Sequence, residues 1–224
     1  MTAEAGPDGE GLRELYAERF AGDREYRTAL WRELCAGFFD RYVEPEDTVL
    51  DLAAGGCEFI NAVRARTRIA VDLNPAVTQA AGPGVTALVS PADDLSAVAD
   101  GSVDVVFASN FFEHVDRPTI LAVMAEGRRV LRPGGRFLVL QPNIRFCARD
   151  YWMFFDHVTP IDDRALVEAF RMSGLEVTTV VPRFLPFTTK SRLPRSTKLV
   201  RAYLAFPPAW RLLGKQSFLV AERR

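Results

Sequence analysis

The chain has 224 residues, nearly half of them hydrophobic, and a formal net charge of −1. That length suits one domain with an elaborated region, and the balanced charge argues against nucleic-acid binding. Three cysteines without a CxxC and no run of about 18 apolar residues point to a reduced, cytoplasmic protein with no spanning helix.

The start, MTAEAGPDGEG, is acidic and small. It lacks a basic and an apolar region, so it reads as a frayed tail and not as a signal peptide. Two helices are expected next. Leu12, Leu15, Tyr16 and Phe20 mark the first, and Tyr26, Leu30, Leu34, Phe38 and Tyr42 the second. We read residues 1–46 as a helical cap. Its aromatic stripe is core, with Tyr16 and Tyr26 as the residues that could instead touch a ligand.

From Asp47 strands and helices alternate. Strands are expected at Thr48–Leu52, Arg68–Val71, Val85–Val89, Val103–Ala108 and Arg136–Gln141. Helices are expected at Glu58–Ala65, Pro75–Ala81 and Arg117–Leu131, with one or two helical turns at Ala92–Ala97. An aromatic loop follows at 142–160. Thr159-Pro160 then opens a helix running to Met172, with Thr as N-cap. Leu175–Val181 and Gln216–Ala221 are the last strands. The implied fold is α/β: a Rossmann-like seven-stranded, mostly parallel sheet with an antiparallel last strand and helices on both faces. Residues 47–224 form this domain, which holds a basic insertion at 182–215.

Chemistry concentrates where strands end. Thr48 to Glu58 reads as a buried strand, Asp51, a small-residue turn and a helix start. Such a turn lets a ligand approach the backbone, and the helix start offers N–H groups. Asp72 closes the second strand, where a carboxylate can accept both hydroxyls of a ribose. After the third strand, Asp93 or Asp94 could receive an adenine amino group, or simply cap a helix. A dinucleotide-binding dehydrogenase fits worse. Its fingerprint needs G-x-G-x-x-G and room for a pyrophosphate, whereas Asp51 would repel phosphate and suit a cationic cofactor.

Asp51-x-Ala53-x-Gly55-x-Cys57, Val71-Asp72-Leu73-Asn74-Pro75, the run Asp104 to Asn110, Glu113-His114 and Val130 to Gly135 together resemble the class I S-adenosylmethionine-dependent methyltransferases. The resemblance spans about 47–141. It implies S-adenosyl-L-methionine as cofactor. Asp51, Ala53 and Gly55 would meet its methionine end, Asp72 and Leu73 its ribose side, and Asp93 its adenine. Asn110 and Phe111 would lie beneath it, near the acceptor.

The turn departs from the family's Gly-x-Gly-x-Gly at Ala53 and Cys57. An alanine is tolerated there if φ is negative. A cysteine at a helix start favours a thiolate, but a small apolar filler is the plainer role. Pro91 stands where the family often has an acid. These departures motivate a second reading, a non-catalytic partner or regulatory protein of the same fold.

On the acceptor side, His114 and His157 both fall at the C-terminal strand edge and are the candidate bases, with Asp156 placed to orient His157. Two histidines and one aspartate without helical spacing give no metal-ligand signature. Tyr151, Trp152, Arg183, Lys190 and Arg192 are the candidate substrate contacts. From Val177 to Ala221 the chain has eight Lys or Arg and no acid. That favours a small anionic, phosphorylated or glycan-linked acceptor, and also permits peripheral contact with anionic lipid. The expected reaction is methyl transfer to an O or N nucleophile.

Overall fold

The computed structural model describes residues 24–187 and 196–224. The expected helix at Leu12–Phe20, Tyr16, Lys190 and Arg192 lie outside the described residues.

The first described helix, α1 (Arg24–Gly37), is followed by a 3-10 turn at Phe39–Arg41. Then come β1 (Thr48–Leu52), α2 (Glu58–Ala62), β2 (Thr67–Asp72), α3 (Val77–Ala80), β3 (Val85–Val89) and β4 (Val103–Ser109). They are followed by α4 (Arg117–Val130), β5 (Leu131–Pro142), α5 (Ile144–Tyr151), α6 (Asp163–Met172) and β6 (Glu176–Val181). Last are α7 (Thr197–Leu204), α8 (Pro207–Leu213) and β7 (Gln216–Glu222).

The seven strands form one sheet in the order β3-β2-β1-β4-β5-β7-β6. All pairs are parallel except those of β7, which runs antiparallel to both β5 and β6. The fold class read from the sequence is therefore the one observed. Gln216 at the start of β7 pairs with Pro142 at the end of β5. The link from α8 into β7 thus reaches the edge where β1, β2, β4 and β5 end.

Each face of the sheet buries one apolar cluster. Strand alternation assigns residues to them, since neighbours along a strand point to opposite faces. Val49 joins Leu34, Phe39, Phe59, Phe107, Phe184 and Phe218. Leu50 and Leu52 join Ile120, Leu166 and Phe170 on the other face. Aromatic contacts dominate the first cluster: Phe59 stacks on Phe107 at 3.7 Å, and Phe38 lies 4.0 Å from Phe184. The stripe expected from Tyr26 to Tyr42 supplies Leu34 and Phe38 to that core, and Phe39 beside it joins them.

Three local expectations are corrected. Residues 144–151 are a helix and not an aromatic loop. Asn143 caps it, its side-chain oxygen accepting from Arg145 N at 3.2 Å. The next helix is capped by Asp162 and not by Thr159, since Asp162 accepts from both Arg164 N and Ala165 N. The Thr159 hydroxyl instead donates to the Val115 carbonyl at 2.6 Å. Residues 92–97 form turns without a helix. There the Asp94 carboxylate accepts from Ser96 N, a local bond that competes with helix formation.

Three of the eight basic residues after Val177 brace the fold. Arg201 of α7 pairs with Glu33 of α1. Lys215 pairs with Asp150 of α5 at 2.6 Å. Arg183 donates to the carbonyls of Leu212 and Gly214 and lies over the Phe146 ring.

Candidate cofactor and acceptor site

Between β1 and α2 the chain turns with three residues in the left-handed region: Ala53 at φ 53°, Gly55 at 50° and Cys57 at 59°. The expectation of negative φ at Ala53 is therefore corrected. A Cβ in this region costs about 1–2 kcal/mol, so the turn is strained at the two positions that depart from glycine. A side chain at Gly55 would meet nothing within 4 Å, which leaves open space over the backbone. Ala53→Gly should stabilise the protein by roughly 0.5–1 kcal/mol, after the added unfolded-state entropy of glycine is subtracted. Denaturant unfolding checks this, and destabilisation would show that the Ala53 methyl is packed to advantage.

Cys57 is fully buried, and its thiol lies 3.9 Å from the Val77 carbonyl. Burial, together with Asp51, Asp72 and Glu58, pushes it up to about 12. The helix start does not make a thiolate here, and the residue serves as apolar filling.

Asp72 ties the turn together. One carboxylate oxygen accepts from Gly55 N at 2.8 Å and the other from Asn74 N at 2.7 Å. Each oxygen keeps lone-pair capacity for a further donor. Leu73 beside it stands 67% exposed, an apolar surface open at the strand edge. Asp51 points to the opposite sheet face from Leu50 and Leu52 and is buried. Burial, then the charges of Glu58 and Asp72, hold its carboxyl well above the usual carboxylate range, against one backbone N–H from Ile60. The open backbone at Gly55 and the part-exposed Asp72 carboxylate form the accessible side of this turn, with Asp51 buried behind them.

The Asp51 shift has a consequence for stability. A carboxyl whose folded pKa is raised stabilises most below its unfolded value of 3.8, and that contribution is lost as pH rises through the folded value. Asp51→Asn should therefore raise the melting temperature at neutral pH by roughly 2–4 °C, about 1 kcal/mol for a chain of this size. The gain should vanish toward pH 4. A gain that does not depend on pH would assign the effect to packing.

β4 lies beside β1, with Leu52 opposite Ala108. Asn110 and Phe111 follow it directly. Asn110 also takes a positive φ, 49°, and its N–H donates to the Leu140 carbonyl. Asp93 is exposed in the turn after β3, which a Ser90 N–H bond to the Asp72 carbonyl fastens to the β2 end.

The second group of predicted residues gathers where β4 and β5 end. His114 and His157 lie with ring centroids 4.9 Å apart, edge to face. His114 Nδ1 is 3.0 Å from the Asp156 carbonyl and 3.3 Å from its carboxylate. Asp156 thus contacts the ring of His114, which itself packs on His157. His157 is buried between Phe154, stacked at 5.0 Å, and Tyr151 at 4.7 Å. Tyr151 is itself fully buried, with its hydroxyl donating to the Thr159 carbonyl, whereas Trp152 is exposed.

Glu113 enters the sequence reading only as part of the Glu113-His114 motif, yet it underlies this cluster. It is 1% exposed, and burial raises its carboxyl above the usual range. Gln141 donates to one oxygen at 2.6 Å, and the other lies 3.8 Å from His114 Nε2. Its only sequence signal was the adjacency Glu113-His114, because the partner Gln141 lies on β5, distant in sequence. Trp152 is oriented to solvent, and Arg183 is committed to backbone carbonyls.

A mixed sheet in this order, with an acidic turn after β1 and an acid closing β2, is a Rossmann-like methyltransferase fold. Residues 50–139 match the methyltransferase domain family, so the chain carries a methyltransferase domain, for which S-adenosyl-L-methionine is the cofactor. No curated protein matches it in sequence. Among solved structures it resembles a complex between the Haloferax volcanii Trm112 methyltransferase activator and a methyltransferase, at 21% identity and TM-score 0.68, over 98% of this chain and 99% of that one. It also resembles a SAM-dependent methyltransferase from Archaeoglobus fulgidus, at 17% identity and TM-score 0.66, over 96% and 100%. A third is geranyl diphosphate C-methyltransferase from Streptomyces coelicolor A3(2), at 18% identity and TM-score 0.59, over 85% and 76%. At these identities the structures establish the shared fold. Among the described residues, no helix is long and apolar enough to cross a membrane.

Proposed function

We propose that this methyltransferase acts on an O or N nucleophile of a small anionic or glycan-type molecule. The observation that carries the reading is the pair of imidazoles, His114 and His157, gathered beside the strand edge that bears the acidic turn. Asp51, Ala53 and Gly55 would hold the amino-acid end of the cofactor. Asp72 would take the ribose hydroxyls with Leu73 beside it, Asp93 would lie by the adenine, and Asn110 and Phe111 would lie beneath. The open space at Gly55 and the buried Asp51 support this fit. Bound there, the cofactor supplies a methyl group already activated by the sulfonium.

The chain's own task is then alignment of the acceptor and removal of its proton. His114 is the better placed base. Asp156 at Nδ1 orients the ring, and Nε2 is the atom that would accept the proton. His157, packed between Phe154 and Tyr151, shapes the wall beside it. For the acceptor's charge, Lys198 and Arg211 stand exposed on the two helices of the 182–215 segment. Lys190 and Arg192 belong to the same segment and would add to this charge. A phosphorylated acceptor is consistent with the geranyl diphosphate bound by the Streptomyces coelicolor structure.

A radiolabelled methyl-transfer screen over phosphorylated sugars, lipid-linked glycans and small metabolites tests the reading. Label on an oxygen or nitrogen of an anionic or glycan acceptor is expected. Label confined to carbon, or to neutral apolar acceptors, would overturn it.

A further inference from the structure

Glu113, His114 and His157 each offer one ligand atom, and these atoms all lie within 4.8 Å of one another. Glu113 Oε1 stands 3.8 Å from His114 Nε2, beyond hydrogen-bond length. A cation bound at about 2.0–2.2 Å from each atom would set the three roughly 3–3.5 Å apart, a contraction of an ångström or so that small side-chain rotations supply. We propose that Glu113, His114 and His157 form a binding site for a divalent transition-metal cation of the zinc type.

The surroundings are those that orient metal ligands. The Asp156 contacts at Nδ1 favour the tautomer whose lone pair lies on Nε2, facing Glu113. Gln141 holds the second oxygen of Glu113 and leaves the first for the ion. The loops that carry the ligands are fastened together. The Glu113 carbonyl accepts from Val158 N at 2.8 Å and from Thr159 N at 3.1 Å, immediately after His157. Two imidazoles and one carboxylate suit zinc, cobalt(II) or iron(II) better than magnesium or calcium, which prefer oxygen. Three protein ligands leave a coordination position open. The His114 side chain is 20% exposed, so that position is reachable from solvent.

This inference rests on the acceptor mouth described under the proposed function and adds a cation to it. In the ion-free protein an imidazole takes the acceptor's proton. With the ion bound the imidazoles are ligands, and an acceptor hydroxyl in the open position ionises more readily. Its O–H bond breaks, the proton passes to solvent water, and the oxygen keeps the electron pair.

The test is cobalt(II) titration of chelator-stripped, full-length protein, followed by equilibrium dialysis and visible absorption. One ion per chain, with d–d bands of a low-coordinate nitrogen–oxygen site, is the expected result. Glu113→Gln and His157→Gln should each weaken uptake at least tenfold while binding of S-adenosylhomocysteine is retained. No stoichiometric uptake by the unaltered protein would overturn the site, and so would uptake unchanged in both variants. Methyl transfer that persists in chelator while cobalt fails to bind rejects the cation site alone. Cobalt binding without any oxygen or nitrogen acceptor rejects only the acceptor reading.

Discussion

Asp72→Ala should weaken S-adenosylhomocysteine binding about 100-fold. Two hydrogen bonds from ribose hydroxyls to one carboxylate are worth roughly 1.5–3 kcal/mol each before the mutant relaxes, and a loss near 3 kcal/mol corresponds to about two decades in affinity. The substitution removes more than the ligand contact, because Asp72 also receives Gly55 N and Asn74 N. Losing those bonds frees a turn that holds Ala53, Gly55 and Cys57 at positive φ. The melting temperature should therefore fall as well. Asp72→Asn keeps one acceptor oxygen and should fall between the two proteins in both readouts. Calorimetric affinity unchanged in Asp72→Ala would sink the ribose assignment.

His114→Ala should lower kcat toward the acceptor by about 100-fold and leave cofactor affinity within twofold. General-base catalysis contributes about 10²–10⁴-fold, and the low end applies because the sulfonium is already activated. The geometry separates the two effects. His114 lies beyond the end of β4 with its Nδ1 on Asp156, whereas the acidic turn is built from the ends of β1 and β2. Steady-state kinetics and calorimetry on one preparation check the split. Equal losses in kcat and cofactor affinity would show that His114 only supports the cofactor.

Much of the scaffold was legible because buried parallel strands and their turns leave local signals. Thr48–Leu52 and Val85–Val89 were bounded correctly by apolar runs between acids and glycines. The antiparallel return of β7 was readable from a strand at the chain end after a long insertion. Helix α5 escaped because Phe146, Tyr151 and Trp152 gave an aromatic run without clean periodicity, and because its cap is a single asparagine. The cap of α6 was misplaced by a Thr-Pro pair whose threonine had a tertiary partner, Val115, that no local pattern could show.

The site was legible in part for the same reason. Asp51, Gly55 and Asp72 follow from strand ends. Their electrostatics do not, since the raised carboxyl of Asp51 depends on burial and on Glu58 and Asp72 brought close by folding. The positive φ of Ala53 contradicts the ordinary preference of alanine, so propensity pointed the wrong way at a strained position. Glu113 was hidden because its environment is assembled from Gln141, Val158 and Thr159, all distant in sequence. The basic segment was legible only as a charge run without acids, because the partners of Arg183, Arg201 and Lys215 lie in other elements of the fold.

A crystal structure of the complex with S-adenosylhomocysteine tests the central claim most directly. The account predicts both ribose hydroxyls on Asp72, the amino-acid end over the Ala53–Gly55 backbone near Asp51, and the sulfur turned toward His114 and His157. A cofactor seated away from the β1 and β2 ends, or a sulfur turned away from the imidazoles, would contradict it.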